Sequence, residues 1–430
     1  MRKAALHNLG CKVNAYETEA MQELLEQNGY EIVSFHEKAD VYIINTCTVT
    51  NMADRKSRQM LHRAKKNNPD AIIVAAGCYV QAQENAGKTD DTVDILIGNN
   101  KKHELIDILE QYEKESQKTK KAIIDINHTK EYENLMLQKT AEHTRAYIKV
   151  QDGCNQFCTY CIIPYARGRV RSRTKEDVIS EVTTLANNGY KEVVLTGIHL
   201  SSYGVDLENE NLLDLIISIH DIEGIERIRL GSLEPRIVTE TFAKTIASLP
   251  KICPHFHLSL QSGCNETLRR MNRRYTAEEY YEKCKLLRTH FKNPALTTDV
   301  IVGFPGETEE EFLESKKFVD KVDFYETHIF KYSRREGTKA AAMDNQIPEP
   351  IKTQRSNELI TLCEEKMKRY ENLWKGQEVE VLVEEPITLD GQILQVGHTK
   401  EYIKVAFPSE TDLQNQLVTV KLGKECQIIH

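Results

Sequence analysis

The sequence predicts an α/β chain in three parts: an amino-terminal doubly wound parallel sheet, a central partial (β/α)6 barrel, and a small carboxy-terminal β-barrel. Strand-like and helix-like runs alternate through the first hundred residues, and six more strand runs alternate with helical ones from residue 146 onward. After Trp374 short strands separated by turn residues replace that alternation. The parts read as residues 1–110, a linker 111–143, a barrel 144–372 and a tail 373–430.

"AALHNLGC" is the first strand and "NAYETEAMQELLEQNG" the first helix. Asn14 is its expected cap with Glu17 three residues on, followed by apolar spacing at Ala20, Met21, Leu24 and Leu25 and a stop at Gly29. "DVYIINTC" is the second strand and leads into a basic helix from about Met52 to Lys66. "AIIVAAGC", too uniformly apolar for a one-sided sheet, reads as a central parallel strand, and "VDILIGN" as a fourth. Residues 111–143 are polar, a linker with one short strand run. The barrel strands are "AYIKVQDG", "EVVLTGI", "RIRLGSL", "HFHLSLQS", "LTTDVIVGF" and "THIFKYS", two units short of a closed eightfold barrel and therefore open on one side. "EVEVLVEE", "GQILQVG", "EYIKVAF" and "LVTVKLG" supply the tail.

A chain of 430 residues exceeds what one core serves, and 40% hydrophobic with 28% charged residues is the balance of a soluble protein. Neither a signal-peptide run nor a membrane-length apolar stretch is present, so a cytoplasmic location is expected. In that reducing setting eleven cysteines point to metal or catalysis more than to disulfides. The net charge of −8 argues against nucleic acid, but three basic runs argue back: Arg167, Arg169, Arg171 and Arg173; Arg55, Lys56, Arg58, Arg63, Lys65 and Lys66; and "LRRMNRRY". Each run could equally be a solvated face.

"DGCNQFCTYC" places Cys154, Cys158 and Cys161 where the first barrel strand ends, the face on which barrel active sites form. Three thiolates hold an iron–sulfur cube and leave one iron without a protein ligand. Zinc completed by a distant His or Cys is the rival, although zinc sites usually pair two Cys-x2-Cys knuckles and no second knuckle exists here. The spacing at a strand end of a six-unit barrel resembles the radical S-adenosylmethionine superfamily. The resemblance implies that the vacant iron binds the methionine part of S-adenosylmethionine, whose cleavage yields a 5′-deoxyadenosyl radical. Gly197, Ser259, Gln261, Ser262, Thr298, Asp299, Gly303 and Gly306 stand in or beside the later strand ends. Of these, Gly197, Ser259, Gln261, Thr298, Asp299 and Gly303 are the expected cofactor contacts.

Cys11, Cys47 and Cys78 follow no spacing rule, yet each closes a strand: "HNLGC", "IINTC", "VAAGC". Carboxyl ends of parallel strands share one edge of a sheet, so these three can meet in a second cluster with an iron unfilled. Three unrelated buried thiols are the alternative. Two such clusters and a β-barrel tail resemble the methylthiotransferases, a likeness carried by "LGCKVNAYET", "INTCTVTNMADRKSRQ", "AGCYVQ", "VQDGCNQFCTYCIIPYARGRVRSR" and "DVIVGFPGET". Around the first cysteine the sequence is most similar to the branch acting on N6-threonylcarbamoyladenosine at position 37 of tRNA.

The resemblance implies two 4Fe-4S clusters, S-adenosylmethionine, methylthiolation at C2 of the adenine, and a TRAM tail that binds RNA. Radical generation falls to Cys154/Cys158/Cys161 and sulfur delivery to Cys11/Cys47/Cys78. Expected partners are the tRNA anticodon loop, an electron donor of reductase or flavodoxin type and a sulfur source, with no membrane. Arg167, Arg169, Arg171, Arg173, Arg55, Arg58, Lys400 and Lys404 are the candidate RNA contacts, although the tail holds five Lys against nine Asp or Glu and could instead pack on the barrel or bind protein. Alternatives are an isopentenyladenosine methylthiotransferase, a ribosomal-protein methylthiotransferase, a non-catalytic iron–sulfur RNA-binding sensor and a zinc-stabilised scaffold.

Overall fold

The computed structural model describes residues 1–87, 92–115, 119–140, 144–389 and 391–430, so residues 116–118 and 141–143 of the expected linker lie outside the described residues. Among those described, no helix is long and apolar enough to cross a membrane.

The first part is an all-parallel sheet of β1 (Arg2–Asn8), β2 (Tyr30–Ile32), β3 (Val41–Thr46), β4 (Ile72–Gly77), β5 (Ile95–Ile97) and β6 (Lys120–Ala122), in the order β2-β1-β3-β4-β5-β6. Helices α1 (Lys12–Gln27) and α4 (Leu105–Lys114) bury one face. Helices α2 (Asn51–Asn67) and α3 (Cys78–Asn85) bury the other. All six residues of β3 are buried, which is why its run lacks polar alternation. β6 came from the segment read as linker; it pairs with β5 and extends this sheet beyond residue 110. Chain direction across the sheet reverses between β1 and β3, the place where an open parallel sheet forms its crevice.

The α1 cap differs from the expectation. Cys11 is the cap residue, and Asn14 and Glu17 lie inside the helix, 1% and 0% exposed. A capping-box string and a buried polar face share one spelling here, and burial against the barrel decides the outcome.

The central part runs β7 (Ala146–Asp152), α5 (Ile163–Ala166), β8 (Arg171–Ser172), α6 (Lys175–Asn187), β9 (Glu192–Gly197), α7 (Leu212–His220), β10 (Arg227–Leu230), α8 (Glu240–Ala247), β11 (His255–His257), α9 (Asn265–Arg270), α10 (Ala277–His290), β12 (Ala295–Val302), α11 (Glu309–Val322) and β13 (Glu326–Lys331). β10-β9-β7 and β11-β12-β13 are parallel ladders, joined by the bridges Ile228–Ile252 and Leu233–Leu258. Among the described residues β7 and β13 do not pair, so the barrel is open between its first and last strands. Threonines 174, 239, 276 and 308 cap their helices by accepting from the main chain three residues on, which fixes each helix start behind its strand.

Helix α12 (Glu349–Asn372) leads to the tail: β14 (Glu378–Leu389), β15 (Gln392–Thr399), β16 (Lys404–Pro408), β17 (Leu417–Lys421) and β18 (Gln427–Ile428). They form an antiparallel sheet ordered β17-β14-β15-β16-β18 over a core of Val379, Val381, Val383, Val405 and Phe407. The tail caps the amino-terminal end of the barrel. Arg227 donates to the main chain of Glu380 and His398, Arg229 to that of Thr399 and Lys400. Tyr402 stacks on His255 and His398 with Arg145 and Arg229 against its ring.

Candidate active site

The amino-terminal sheet docks across the open side of the barrel, and this docking brings the cysteines together. Thr46 ties the ends of β3 and β4, donating to Ala76 and accepting from the Tyr79 amide (2.6 and 3.2 Å). Gly10, at φ +109°, sits so close to Cys47 that a Cβ there would lie 2.9 Å from its Cβ and 3.0 Å from its Sγ. Cys11 and Cys47 each lie within electrostatic reach of Cys78. Three strand ends thus converge.

On the barrel side the loop after β7 carries Cys154, Cys158 and Cys161. It is pinned by Thr159 to the main chain of Arg270 and Met271, and by Asn272 to that of Gln156 and Phe157. Gly153, at φ +70°, turns the strand into this loop, and a Cβ there would overlap the carbonyl oxygen of Arg169. Gly153→Ala should therefore fail to assemble this cysteine loop. The expected result is purified protein with iron content about half that of the wild type, the Cys11/Cys47/Cys78 site alone being loaded; full loading would show that the turn tolerates the change.

Burial pushes the thiol of Cys47 up to about 12, of Cys154 to about 11 and of Cys161 to about 12. Such thiols stay protonated at neutral pH unless a metal replaces the proton, which suits ligands and not free nucleophiles. Sulfurs around one tetrahedral zinc stand about 3.8 Å apart, from Zn–S of about 2.3 Å. Among the described residues neither triplet brings all its sulfurs within 4.8 Å of one another. That spacing is wider than the sulfurs of a single zinc site, which counts against the zinc scaffold.

Cys11 and all of Cys154, Cys158 and Cys161 line one cavity of about 670 Å³. Gly197, Ser259 and Gln261 line it as well. Thr298 does not: it is fully buried behind the strand, donating to Leu258 and accepting from Leu260 and Tyr280. Gly303 packs on Lys352 of α12, also away from the cavity. Both were expected at the cofactor face; Thr298 faces α10 from within β12, and Gly303 faces α12 just beyond it. Asp299 pairs with His257 (3.3 Å) beside His328, and the ligand atoms of these three lie within 4.8 Å of one another.

Three of the expected RNA contacts are buried in ion pairs and cannot meet an RNA surface. Arg167 is 0% exposed. It donates to Cys78 Sγ (3.1 Å), to Glu17 (2.9 and 3.1 Å), to both oxygens of Asp152 (3.1 Å) and to Asn14 Oδ1 (2.6 Å). Arg171 faces Asp152, and Arg173 pairs with Glu181 and Tyr16. Arg169 alone of that run is exposed, its guanidinium 4.5 Å from the Phe157 ring. Arg55 and Arg58 are exposed on α2, whose start is clamped to the barrel by Arg335 donating to Thr48, Asn51 and Asp54. Lys400 is turned to the barrel floor, toward Pro250 O and Glu380, while Lys404 is half-buried on β16.

Three cavity residues escaped the sequence reading. Arg273 lies in the "LRRMNRRY" run, from which no candidate contact was drawn, yet it donates to Cys158 Sγ (3.3 Å), Ser259 O and Tyr275. His199, two residues after Gly197, is kept neutral by burial and then by the charges of Arg273 and Arg236, with its pKa near 4. Lys12 is the third. A strand-end glycine motif flags His199; nothing local flags the other two.

Residues 148–319 match the Radical SAM superfamily, and residues 3–98 match Uncharacterized protein family UPF0004. Threonylcarbamoyladenosine tRNA methylthiotransferase MtaB of Bacillus subtilis (strain 168) is 41% identical over 99% of this chain and 94% of its own length. The protein of that name from Aquifex aeolicus (strain VF5) is 45% identical over 89% of this chain and 92% of its own. The tRNA-2-methylthio-N(6)-dimethylallyladenosine synthase of Moorella thermoacetica is 39% identical over 96% and 94%. Among solved structures the radical S-adenosylmethionine methyltransferase TsrM from Kitasatospora setae has a TM-score of 0.55 at 16% identity, covering 77% of this chain and 72% of that one, a likeness of fold. Identity of 41% along nearly the whole length decides the matter: the chain belongs to the radical S-adenosylmethionine methylthiotransferase family.

Proposed function

We propose that the protein replaces the C2 hydrogen of N6-threonylcarbamoyladenosine, at position 37 in the anticodon loop of tRNA, by a methylthio group. The observation that carries this reading is the single cavity lined by Cys11 from one domain and Cys154, Cys158 and Cys161 from another. The relatives named for this nucleoside are 41% and 45% identical, and those named for the dimethylallyl nucleoside 36–39%, which favours the former.

Two 4Fe-4S clusters and S-adenosylmethionine, held at the two triplets, supply the one-electron chemistry, the sulfur and the methyl group that an unactivated C–H bond requires. The chain's own part is placement. Arg273 and Arg167 fix Cys158 and Cys78 through charged N–H donors. Gly197, without a Cβ, lets main chain approach a ligand. Neutral His199, its Nδ1 engaged by Ser202 (2.7 Å) and its Nε2 buried without a partner, presents one polar ring atom for cofactor or base. Arg55, Arg58 and Arg169 are the exposed cations proposed to meet the RNA backbone. An electron donor of reductase or flavodoxin type and a sulfur source complete the reaction.

Nucleoside mass spectrometry of tRNA from cells with and without the protein tests the reading. The 2-methylthio form of N6-threonylcarbamoyladenosine should vanish without it and the unthiolated nucleoside should accumulate. Loss of methylthio groups from isopentenyladenosine instead, or no change in either, overturns it.

A further inference from the structure

Lys12 opens α1 directly after Cys11 and lines the shared cavity. Among the described residues lining it, Lys12 and Arg273 are the basic side chains. Arg273 is committed to Cys158, Ser259 and Tyr275. The carboxylate on that lining, Glu234, is held by Arg236 at 2.7 Å. Among the described residues Lys12 itself makes no hydrogen bond or ion pair.

Its surroundings leave it without a carboxylate partner. Lys12 lies within electrostatic reach of Tyr402, Arg145, Arg229 and Glu192 at the barrel floor. The other cations there already have carboxylates: Arg145 with Glu384 at 3.0 Å, Arg227 with Glu380 at 3.1 Å and Arg229 with Glu192 at 2.7 Å. Beside these pairs Lys12 stands on the lining of the half-open cavity. A carboxylate delivered beside Lys12 supplies the partner it lacks.

On the substrate reading above, we propose that Lys12 is the specificity-determining residue: its ammonium receives the carboxylate of the threonylcarbamoyl group on N6 of the target adenine. The adenine C2 and that carboxylate lie on one nucleoside several bonds apart, as Cys11 and the Lys12 ammonium lie on neighbouring residues. A dimethylallyl group at N6 brings only hydrocarbon and leaves the ammonium unpaired, a mismatch that a site built around a charge rejects.

The test uses cluster-loaded, full-length enzyme and two anticodon stem–loop RNAs differing only at the threonyl group, one with the free acid and one with its methyl ester. Wild-type enzyme should bind the acid about tenfold tighter, and turn it over with a kcat/KM about a hundredfold higher, than the ester. Lys12→Met should bring both ratios to about one, and Lys12→Arg should restore most of the preference. Iron content checks that the variants fold around their clusters, and Lys12→Gln serves where Lys12→Met does not. Ratios that survive loss of the ammonium overturn the proposal. So does a fall in S-adenosylmethionine affinity with the ratios intact, which would assign the ammonium to the cofactor's carboxylate. Wild-type enzyme that turns over neither RNA removes the proposed function itself, a result read without any variant.

Discussion

Replacing Cys158 by Ala should abolish 5′-deoxyadenosine formation, while replacing Cys47 by Ala should leave it running and stop only the appearance of the methylthio group. The two cysteines belong to separate elements: Cys158 to the loop after β7, Cys47 to the end of β3. Each site rests on its own local scaffold, Gly153 and Asn272 for one, Thr46 and Gly10 for the other, so loss of one thiol disturbs its own triplet. The expected fall is more than about a hundredfold, since even a partner behind a metal ligand is worth ten- to hundredfold. Anaerobic assays of reconstituted variants, with deoxyadenosine read by chromatography and the RNA by mass spectrometry, separate the two roles. Full methylthio product from Cys47→Ala would remove the sulfur-delivery assignment. Deoxyadenosine from Cys158→Ala would remove the radical one.

Much of this site was legible because its cysteines sit at strand ends, and strand ends are marked locally by apolar runs. "IINTC" and "VAAGC" are buried strands that stop at a cysteine, and the topology of a parallel sheet brings those ends together. The six barrel runs were legible for the same reason. What was misread depends on partners distant in sequence. Arg167, Arg171 and Arg173 look like a solvated basic stripe until Glu17, Asp152 and Glu181 are folded against them. Asn14 and Glu17 spell a helix cap, yet serve as acceptors for an arginine some 150 residues away. Lys400 looks available to phosphate until its main chain is seen to receive Arg229. Charge type was read correctly each time; charge pairing is a tertiary property, and no window of sequence holds it.

That pairing makes Arg167 the largest single-residue effect expected outside the cysteines. It lies six residues after Cys161 yet donates to Cys78, so one guanidinium ties the barrel's loop to the other triplet. Around it Glu17, Asp152 and Glu133 face Lys102, Lys149, Arg171 and Arg167 itself, in a region where Glu17 and Arg167 have no exposed surface. The extra cation points at the sulfur of Cys78, which would carry negative charge as a cluster ligand. Burial works against the ionised carboxyls of Glu17 and Asp152, yet Arg167 and the lysines outweigh it and hold both below the ordinary range. Arg167→Met leaves those carboxylates and Asn14 without their fork of donors inside a dry interface, at a cost of about 3–5 kcal/mol. It should lower the denaturation midpoint and strip iron from the Cys11/Cys47/Cys78 site while Cys154, Cys158 and Cys161 keep theirs. Arg167→Lys keeps the charge but lacks the planar fork that reaches several acceptors together, so it should fall between the two. Iron and sulfide per chain, read beside deoxyadenosine output, check this: an Arg167→Met protein with wild-type iron and an unchanged midpoint would show that the guanidinium neither clamps the domains nor supports Cys78.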